Sequence, residues 1–503
     1  MRNGSHGWFA YAGPAAHPAP AGAVEPPERG AELADVGRLL RRAVRGVVRA
    51  ARAEQGSRLS GLLREHLGAG AGAGGEEPAV VEERWPPYEN VNVQAGLDAW
   101  LARPGVEHEL VGVVGFAHHH FGLAELLGGA EGDMHGLRTG SVAWTNLPAG
   151  PGGQVRPCVR CGLYLVREGE HRTALLLRGA EPQTGIEDVT LQLVSTAPEA
   201  AAQAARQIRA LALEHNVFRG QVLSFGGEVF GRGTTLLQFH DRPELAAERL
   251  ILPAQVLATI ERQVVEVARH KARLLAAGQH LKRGLLLYGP PGVGKTHTVR
   301  YLLSRLVDTT VIQLTGNTMH LIAPACSVAR ALAPAMVVVE DVDLIAEERG
   351  MHRGQHPLLF QLLNEMDGLA EDADVVFVLT TNRPDLLEPA LAARPGRVDQ
   401  AVELALPDAD GRRTLFELYR GTLAVDTSRL AEVIARTEGV TASFLKELLR
   451  RAAVMAARQA DNGGRLTVSA DHLDAALVEL LDSRNAMTRI LLGSGPHPVP
   501  TDG

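Results

Sequence analysis

Three short stretches hold residues whose type and spacing suit phosphate chemistry. "GPPGVGKT", Gly289 to Thr296, follows the apolar run "GLLLY" and precedes a helical segment, the strand-loop-helix setting that a Walker A match requires. Glycines there let backbone N–H groups wrap phosphates, and the next helix presents its N-terminus to them. Lys295 is placed to reach the β- and γ-phosphates, and the Thr296 hydroxyl to hold Mg²⁺. The expected nucleotide-binding set is Gly289, Pro290, Pro291, Gly292, Val293, Gly294, Lys295, Thr296 and His297. The second stretch, "AMVVVEDVDLIAEER" from Ala335, ends an apolar strand on Glu340 and Asp341, with Asp343 just beyond. Carboxylates at the end of a core strand can reach Mg²⁺ and an attacking water. A helix cap or a surface acidic patch explains them less well, because the run before them is pure core. In the third stretch, "VVFVLTTNRPDLLEPALAARPGRVDQ", Asn382 follows another buried strand, where its amide can orient the water and touch the γ-phosphate.

These side chains need a scaffold, and the surrounding pattern supplies one. After Leu252 an amphipathic helix leads into "RGLLLYG", "TVIQLTG", "AMVVVED" and "DVVFVLTT", apolar strands separated by helices. Strands buried on both faces indicate a parallel sheet in an α/β domain. From 408 to about 485 the pattern is helical. Upstream, "LVGVVGF", "CGLYLVRE", "TALLLRGAE" and "DVTLQLVST", followed by the helical "APEAAAQAARQIRALALEHN", read as one α+β domain over 79–240. Residues 1–78 read as a flexible tail with a Gly-rich linker around a basic amphipathic helix. That helix sets Val36, Leu40, Val44, Val47 and Ala51 beside a stripe of Arg38, Arg41, Arg45, Arg49 and Arg52. A solvated face is the favoured reading of this stripe, with nucleic acid, anionic membrane or an acidic partner as alternatives. Residues 486–503 read as a C-terminal tail.

Composition narrows the classes. The chain has 503 residues, 45% hydrophobic and 22% charged, with a formal charge of -7. This is a globular composition without a basic footprint for nucleic acid. Three cysteines, Cys158, Cys161 and Cys326, cannot form a disulfide framework, and a reducing compartment fits them. The N-terminus lacks a secretory pattern and no apolar run approaches the roughly 18 residues of a span, so a cytoplasmic location is expected. "HHH" at 118–120 and "CVRCG" at 158–162 invite a metal reading. A second cysteine pair is missing, however, and residues three apart on a straight strand point to opposite faces, so structural roles are favoured.

Taken together, "KRGLLLYGPPGVGKT", "VVVEDVDLIAEER", "LLNEMDGL" and "TNRPDLLEPALAARPGRVD" resemble the AAA ATPases, the branch of the AAA+ superfamily that includes FtsH, proteasomal ATPases and membrane-extraction unfoldases. The resemblance covers roughly 252–485. It implies a P-loop NTPase parallel-sheet domain at 241–407, a helical lid at 408–485, and ATP with Mg²⁺ as ligands. It also implies a homo-oligomeric ring, a hexamer, that hydrolyses ATP at subunit interfaces to remodel a protein client. Asn382 matches sensor 1, and Arg394 and Arg397 match the arginine fingers that reach a neighbouring subunit's nucleotide. A nucleotide-gated switch with little turnover is the alternative, and a nucleic-acid-stimulated motor using the Arg38–Arg52 stripe is a third reading.

Departures from the family pattern are informative. Glu340 stands at the family's Mg²⁺-supporting Asp and Asp341 at its catalytic Glu. The interval "GNTMHLIAPACSVARALAP", where unfoldases carry an aromatic pore loop, has no Phe, Tyr or Trp. "GVTASFLKELL" replaces the usual lid motif and makes Ser443 and Lys446 candidates for contacts from the lid.

Overall fold

The structure is a computed structural model. It describes residues 58–68, 79–116, 121–128, 137–181, 186–226, 237–344, 357–370, 372–387, 398–459 and 466–481. Elements below are numbered in chain order among those residues.

The first unit is built on an antiparallel sheet of β1 (Val81–Trp85), β2 (Val106–Val114), β3 (Arg138–Gly140), β4 (Ala143–Pro148), β5 (Val155–Glu168), β6 (His171–Arg178) and β7 (Val189–Ser195). The order is β1-β7-β6-β5-β2-β3, with β4 also on β5. Side chains alternate across the pleat, so each strand feeds two cores. Tyr164, Val166, Leu175, Leu177, Leu191 and Leu193 meet α2 (Asn90–Leu101) and α4 (Pro198–Glu214) on one face. Leu163, Leu165, Ala174, Leu176 and Val194 meet α1 (58–67) and α3 (Leu123–Gly128) on the other. The helix α1 is also pinned through buried His66, whose Nε2 lies 3.1 Å from the Val166 carbonyl oxygen. β2, β5, β6, β7 and α4 overlap the runs read from the sequence, whereas β1, β3 and β4 correspond to none of them.

A second sheet carries the parallel strands β10 (Arg283–Tyr288), β11 (Thr310–Leu314), β12 (Ala335–Val339), β13 (Val375–Thr381) and β14 (Gln400–Glu403). Its order is β14-β10-β13-β12-β11, followed by β8 (Val222–Phe225) and β9 (Leu237–His240). Strands β12 and β13 are buried at every position, as a parallel sheet covered on both faces requires. Leu286, Val337, Val339, Phe377 and Leu379 face α9 (Ile322–Ala331) and α10 (Pro357–Asp367). Leu285, Leu287, Met336, Val338, Val376 and Val378 face α5 (Ala254–Glu261), the turns that continue it, and α8 (Lys295–Arg305).

One boundary differs from expectation. Strands β8 (Val222–Phe225) and β9 (Leu237–His240), assigned by sequence to 79–240, belong to this second sheet. β8 pairs parallel to β11 through Val222↔Val311, Leu223↔Ile312 and Ser224↔Gln313, and β9 closes the edge antiparallel to β8. The boundary expected at 240/241 therefore falls inside the sheet's own strand sequence. The physical cause is apolar: Leu223, Phe225 and Leu237 are buried in the same cluster as Ile312 and Val337. From the first unit Tyr88, Val91 and Cys158 join that cluster, with Tyr88 and Phe225 edge to face at 5.8 Å.

The interval read from sequence as a loop, Asn317 to Pro334, is mainly helical. A 3-10 turn at Gly316–Leu321 runs into α9, with Met319 and Ile322 in the core. C-terminal to the sheet, α11 (Ala409–Arg420), α12 (Leu430–Arg436), α13 (Ala442–Gln459) and α14 (Ala470–Leu481) enclose Phe416, Phe444, Leu448 and Leu477. No helix among the described residues is long and apolar enough to cross a membrane.

Candidate functional site

In a parallel sheet every strand delivers its carboxyl end to the same edge, and ligands bind there beside a point where the strand order reverses. β10 lies between β13 and β14, and its chain leaves for β11 on the far side of β12, so the loop after β10 sits at such a point. Gly289, Gly292 and Gly294 all adopt positive φ (145°, 82° and 111°), which a side chain would oppose. A Cβ at Gly292 would come within 2.9 Å of Ser443 Oγ, so the space is already taken. Gly294 precedes α8 without a side-chain cap, and the first turn of α8 holds no acidic residue. Its leading N–H groups are therefore free to meet an anion.

Lys295 is 7% exposed. Its Nζ donates to the Gly289 oxygen at 2.8 Å, the Pro290 oxygen at 2.9 Å and Asn382 Oδ1 at 2.7 Å. Burial lowers its pKa, opposed by the negative charges of Asp341 and Asp343. Thr296 Oγ1 donates to Glu340 Oε2 at 2.8 Å, and Asn382 Nδ2 donates to Asp341 Oδ1 at 3.3 Å. The two adjacent acids thus take different partners: Glu340 meets the threonine at the start of α8, Asp341 the amide at the end of β13.

Asp341 has φ 52°, the one positive φ outside glycine among the described residues. Aspartate tolerates this region better than most side chains, yet such a conformation costs on the order of 1–3 kcal/mol and persists only where neighbours enforce it. The enforcing bonds come from strand ends. Glu340 N donates to the Leu314 oxygen of β11 at 3.1 Å, Asp341 N to Thr380 Oγ1 at 3.0 Å, and Val342 N to the Thr380 oxygen at 2.9 Å. Sequence reasoning assigned no role to Asp343, Thr380 or Thr381, although all three touch this frame. Asp343 Oδ1 accepts from Thr381 Oγ1 at 2.8 Å and from Asn382 N at 3.2 Å. Their signal was there to read: a third acid after the strand, and a hydroxyl pair immediately before Asn382.

A cleft of about 460 Å³ opens over this arrangement, lined by Pro291 to His297, Asp341 and Asn382 together with Leu250, Tyr419, Ser443 and Lys446. Ser443 N and Oγ both donate to the Gly292 oxygen at 3.3 Å, so the helical unit touches the loop directly. His297 lies at the rim, its Nε2 3.1 Å from the Arg249 oxygen. The donor set suits a nucleotide with Mg²⁺: unpaired helix N–H groups and an ammonium for phosphate, a hydroxyl and a carboxylate for a hard cation.

Other expected residues lie elsewhere. Arg394 and Arg397, the Arg38–Arg52 stripe and His118 to His120 are outside the described residues. Cys158 and Cys161 lie on β5, which bulges at Arg160, and pack into separate clusters. Burial pushes both thiols up to about 12. Among the described residues no group of three or more His, Cys, Asp or Glu could hold a metal ion.

Residues 285–406 match the family described as "ATPase family associated with various cellular activities (AAA)". Among curated relatives, the ATP-dependent zinc metalloprotease FtsH 4 of Sphaerobacter thermophilus is 31% identical over 296 residues, 56% of this chain and 42% of the relative. The FtsH of Thermus thermophilus is 33% identical over 229 residues, 43% of this chain and 36% of the relative. The proteasome-activating nucleotidase of Methanococcus vannielii is 30% identical over 212 residues, 39% of this chain and 51% of the relative. The chain thus spans about half or less of the length of these proteins. The phosphate loop, the acidic strand end and Asn382 converge on one cleft inside the matched region, and it is in this region that the chain is similar to the AAA ATPases, to FtsH and to the proteasome-activating nucleotidases.

Proposed function

We propose that this chain binds and hydrolyses ATP with Mg²⁺ at the subunit interfaces of a homo-oligomeric ring, a hexamer, in the cytoplasm. The cycle moves the first unit, which precedes β8, against a protein client. One observation carries the catalytic part: the neighbouring carboxylates are sorted, Glu340 to Thr296 and Asp341 to Asn382 and, through it, Lys295. In this reading the N-terminus of α8 and Lys295 bind the phosphates. Thr296 and Glu340 hold Mg²⁺, which when bound neutralises phosphate charge. Asn382 orients the attacking water and Asp341 accepts its proton. Arg394 and Arg397 serve a neighbour's site. Asp is one methylene, about 1.5 Å, shorter than Glu. A displacement of that order can lower a rate on the order of 100-fold, which favours slow basal turnover.

Remodelling by domain movement is preferred to threading. The segment in the place of a pore loop is folded into the core through Met319 and Ile322 and offers no aromatic grip. The first unit, by contrast, meets the ATPase sheet along β8 and β9 and is positioned to move with it.

Two substitutions test the site. Asp341→Asn is expected to keep ATP binding and lose steady-state turnover, whereas Glu340→Gln weakens Mg²⁺-dependent binding as well. The opposite pattern would exchange the roles. Absence of multiple turnover in the unmodified protein, with tight ATP binding, would favour a nucleotide-gated switch.

A further inference from the structure

We propose that Asp343 is a positioning residue of the ATPase site, fixing Asn382 from behind so that its amide stays between Lys295 and Asp341; this rests on the reading of the site as a hydrolytic one. The Asp343 carboxylate is 7% exposed and makes no ion pair among the described residues. A buried carboxylate without a cationic partner is unfavourable unless hydrogen bonds hold it. Among the described residues its hydrogen bonds go to one place, Thr381 Oγ1 and the backbone N–H of Asn382. The carboxylate thereby joins the end of β12 to the end of β13 beyond the last ladder pair of those strands, Val339↔Leu379.

The consequence is geometric. Asn382 has its backbone held by Asp343, its Oδ1 by Lys295 at 2.7 Å and its Nδ2 by Asp341 at 3.3 Å. Rotating or lifting the backbone at 382 breaks both side-chain bonds together. Thr380 performs the reciprocal service, its hydroxyl and carbonyl taking Asp341 N and Val342 N. Asp343 and Thr380 therefore lock the two strand ends in opposite directions. Only Asp343 contributes charge, and that charge opposes the effect of burial on Lys295.

Three variants in the full chain test this: Asp343→Ala, Asp343→Asn and Thr381→Val. Asp343→Ala is expected to lower kcat on the order of 100-fold while KM moves by less than about threefold, the signature of a displaced water-positioning group. Asp343→Asn keeps an oxygen that accepts the same two bonds and recovers most of kcat. Thr381→Val removes the donor to Asp343, and with it the acceptor of the Arg383 N–H, with little change of volume and lies between; combining it with Asp343→Ala gives less than the sum of the two losses, because the Thr381–Asp343 bond is shared. A second readout needs no turnover. The ratio of ATP to ADP affinity, measured with Mg²⁺ on each variant, should fall towards one in Asp343→Ala, since Asn382 faces the γ-phosphate. A protein that never turns over would refute the hydrolytic reading while this ratio still judges the role of Asp343. The proposal is overturned if Asp343→Asn is as impaired as Asp343→Ala, or if neither kcat nor the affinity ratio changes in Thr381→Val. Should Asp343→Ala fail to fold, Thr381→Val and Asp343→Asn still decide it.

Discussion

Among the described residues two seven-stranded sheets are each covered by helices on both faces, and of these two it is the parallel one that gathers the residues of the candidate nucleotide cleft. In the antiparallel sheet neighbouring strands run in opposite directions, so residues that end successive strands part to opposite edges. Charged side chains on and against it form separate pairs such as Arg160 with Glu181 and Arg209 of α4 with Glu83. In the parallel sheet residues 295, 340 and 382, far apart in sequence, end on one edge within hydrogen-bond reach through Lys295–Asn382 and Thr296–Glu340. Similar layering with different strand direction disperses side chains in one case and gathers them into the candidate site in the other.

Three experiments can break or refine this contrast, in order of expected effect. Lys295→Ala should lower ATP turnover by on the order of 100- to 1,000-fold, as loss of a preorganised charge at a reacting group does; turnover within tenfold of the parent would mean that the parallel edge is not the reaction site. Leu193→Ala, in the fully buried core of the antiparallel sheet, should cost about 2–5 kcal/mol of stability in urea titrations. ATP affinity should remain within about threefold, and a collapse of binding would show that the two sheets do not act as separable units. The smallest effect belongs to the helical unit. The Arg450 and Arg451 guanidiniums bonded to Glu447 hold its carboxyl at about 2, below the usual 4.5, with burial opposing them. A depressed folded-state value means the stabilisation is full above about pH 4.5 and fades as pH falls towards 2. Arg450 is largely exposed, so solvent screens the contribution and keeps it small. Melting curves of Glu447→Gln should therefore converge with those of the parent only at the acid end of that window.

The contrast also explains what could be read from sequence. The phosphate loop was legible because its residues are contiguous and each follows from local geometry: glycines at positive φ, a lysine and a hydroxyl on the first turn of α8. Glu340, Asp341 and Asn382 were legible because each directly follows a run of core residues that must be a strand. Asp343 was visible as a residue but not as a partner, since its bonds reach Thr381 and Asn382 some forty positions on. The strained backbone of Asp341 leaves no trace in residue type. Strands β8 and β9 were misplaced because four-residue strands carry little periodicity, and their sheet is fixed by β11, nearly ninety residues downstream. The 3-10 turn and α9 fill the interval where the resemblance to unfoldases implies a loop, although Ile322, Ala325, Cys326 and Ala329 repeat at helical spacing.

The β8–β9 extension has a further consequence for anyone preparing the ATPase part alone. A fragment begun at 241, where composition suggests the cut, would strip β11 of its neighbour and leave Val311 to Gln313 with unpaired backbone groups. It would also bare the side of Ile312 and Val337 that Leu223, Phe225 and Leu237 cover. An open strand with apolar residues on both faces is a template for self-association. The shortest well-behaved fragment should begin before Gln221, whose carbonyl oxygen already accepts from Val311 N at 2.8 Å.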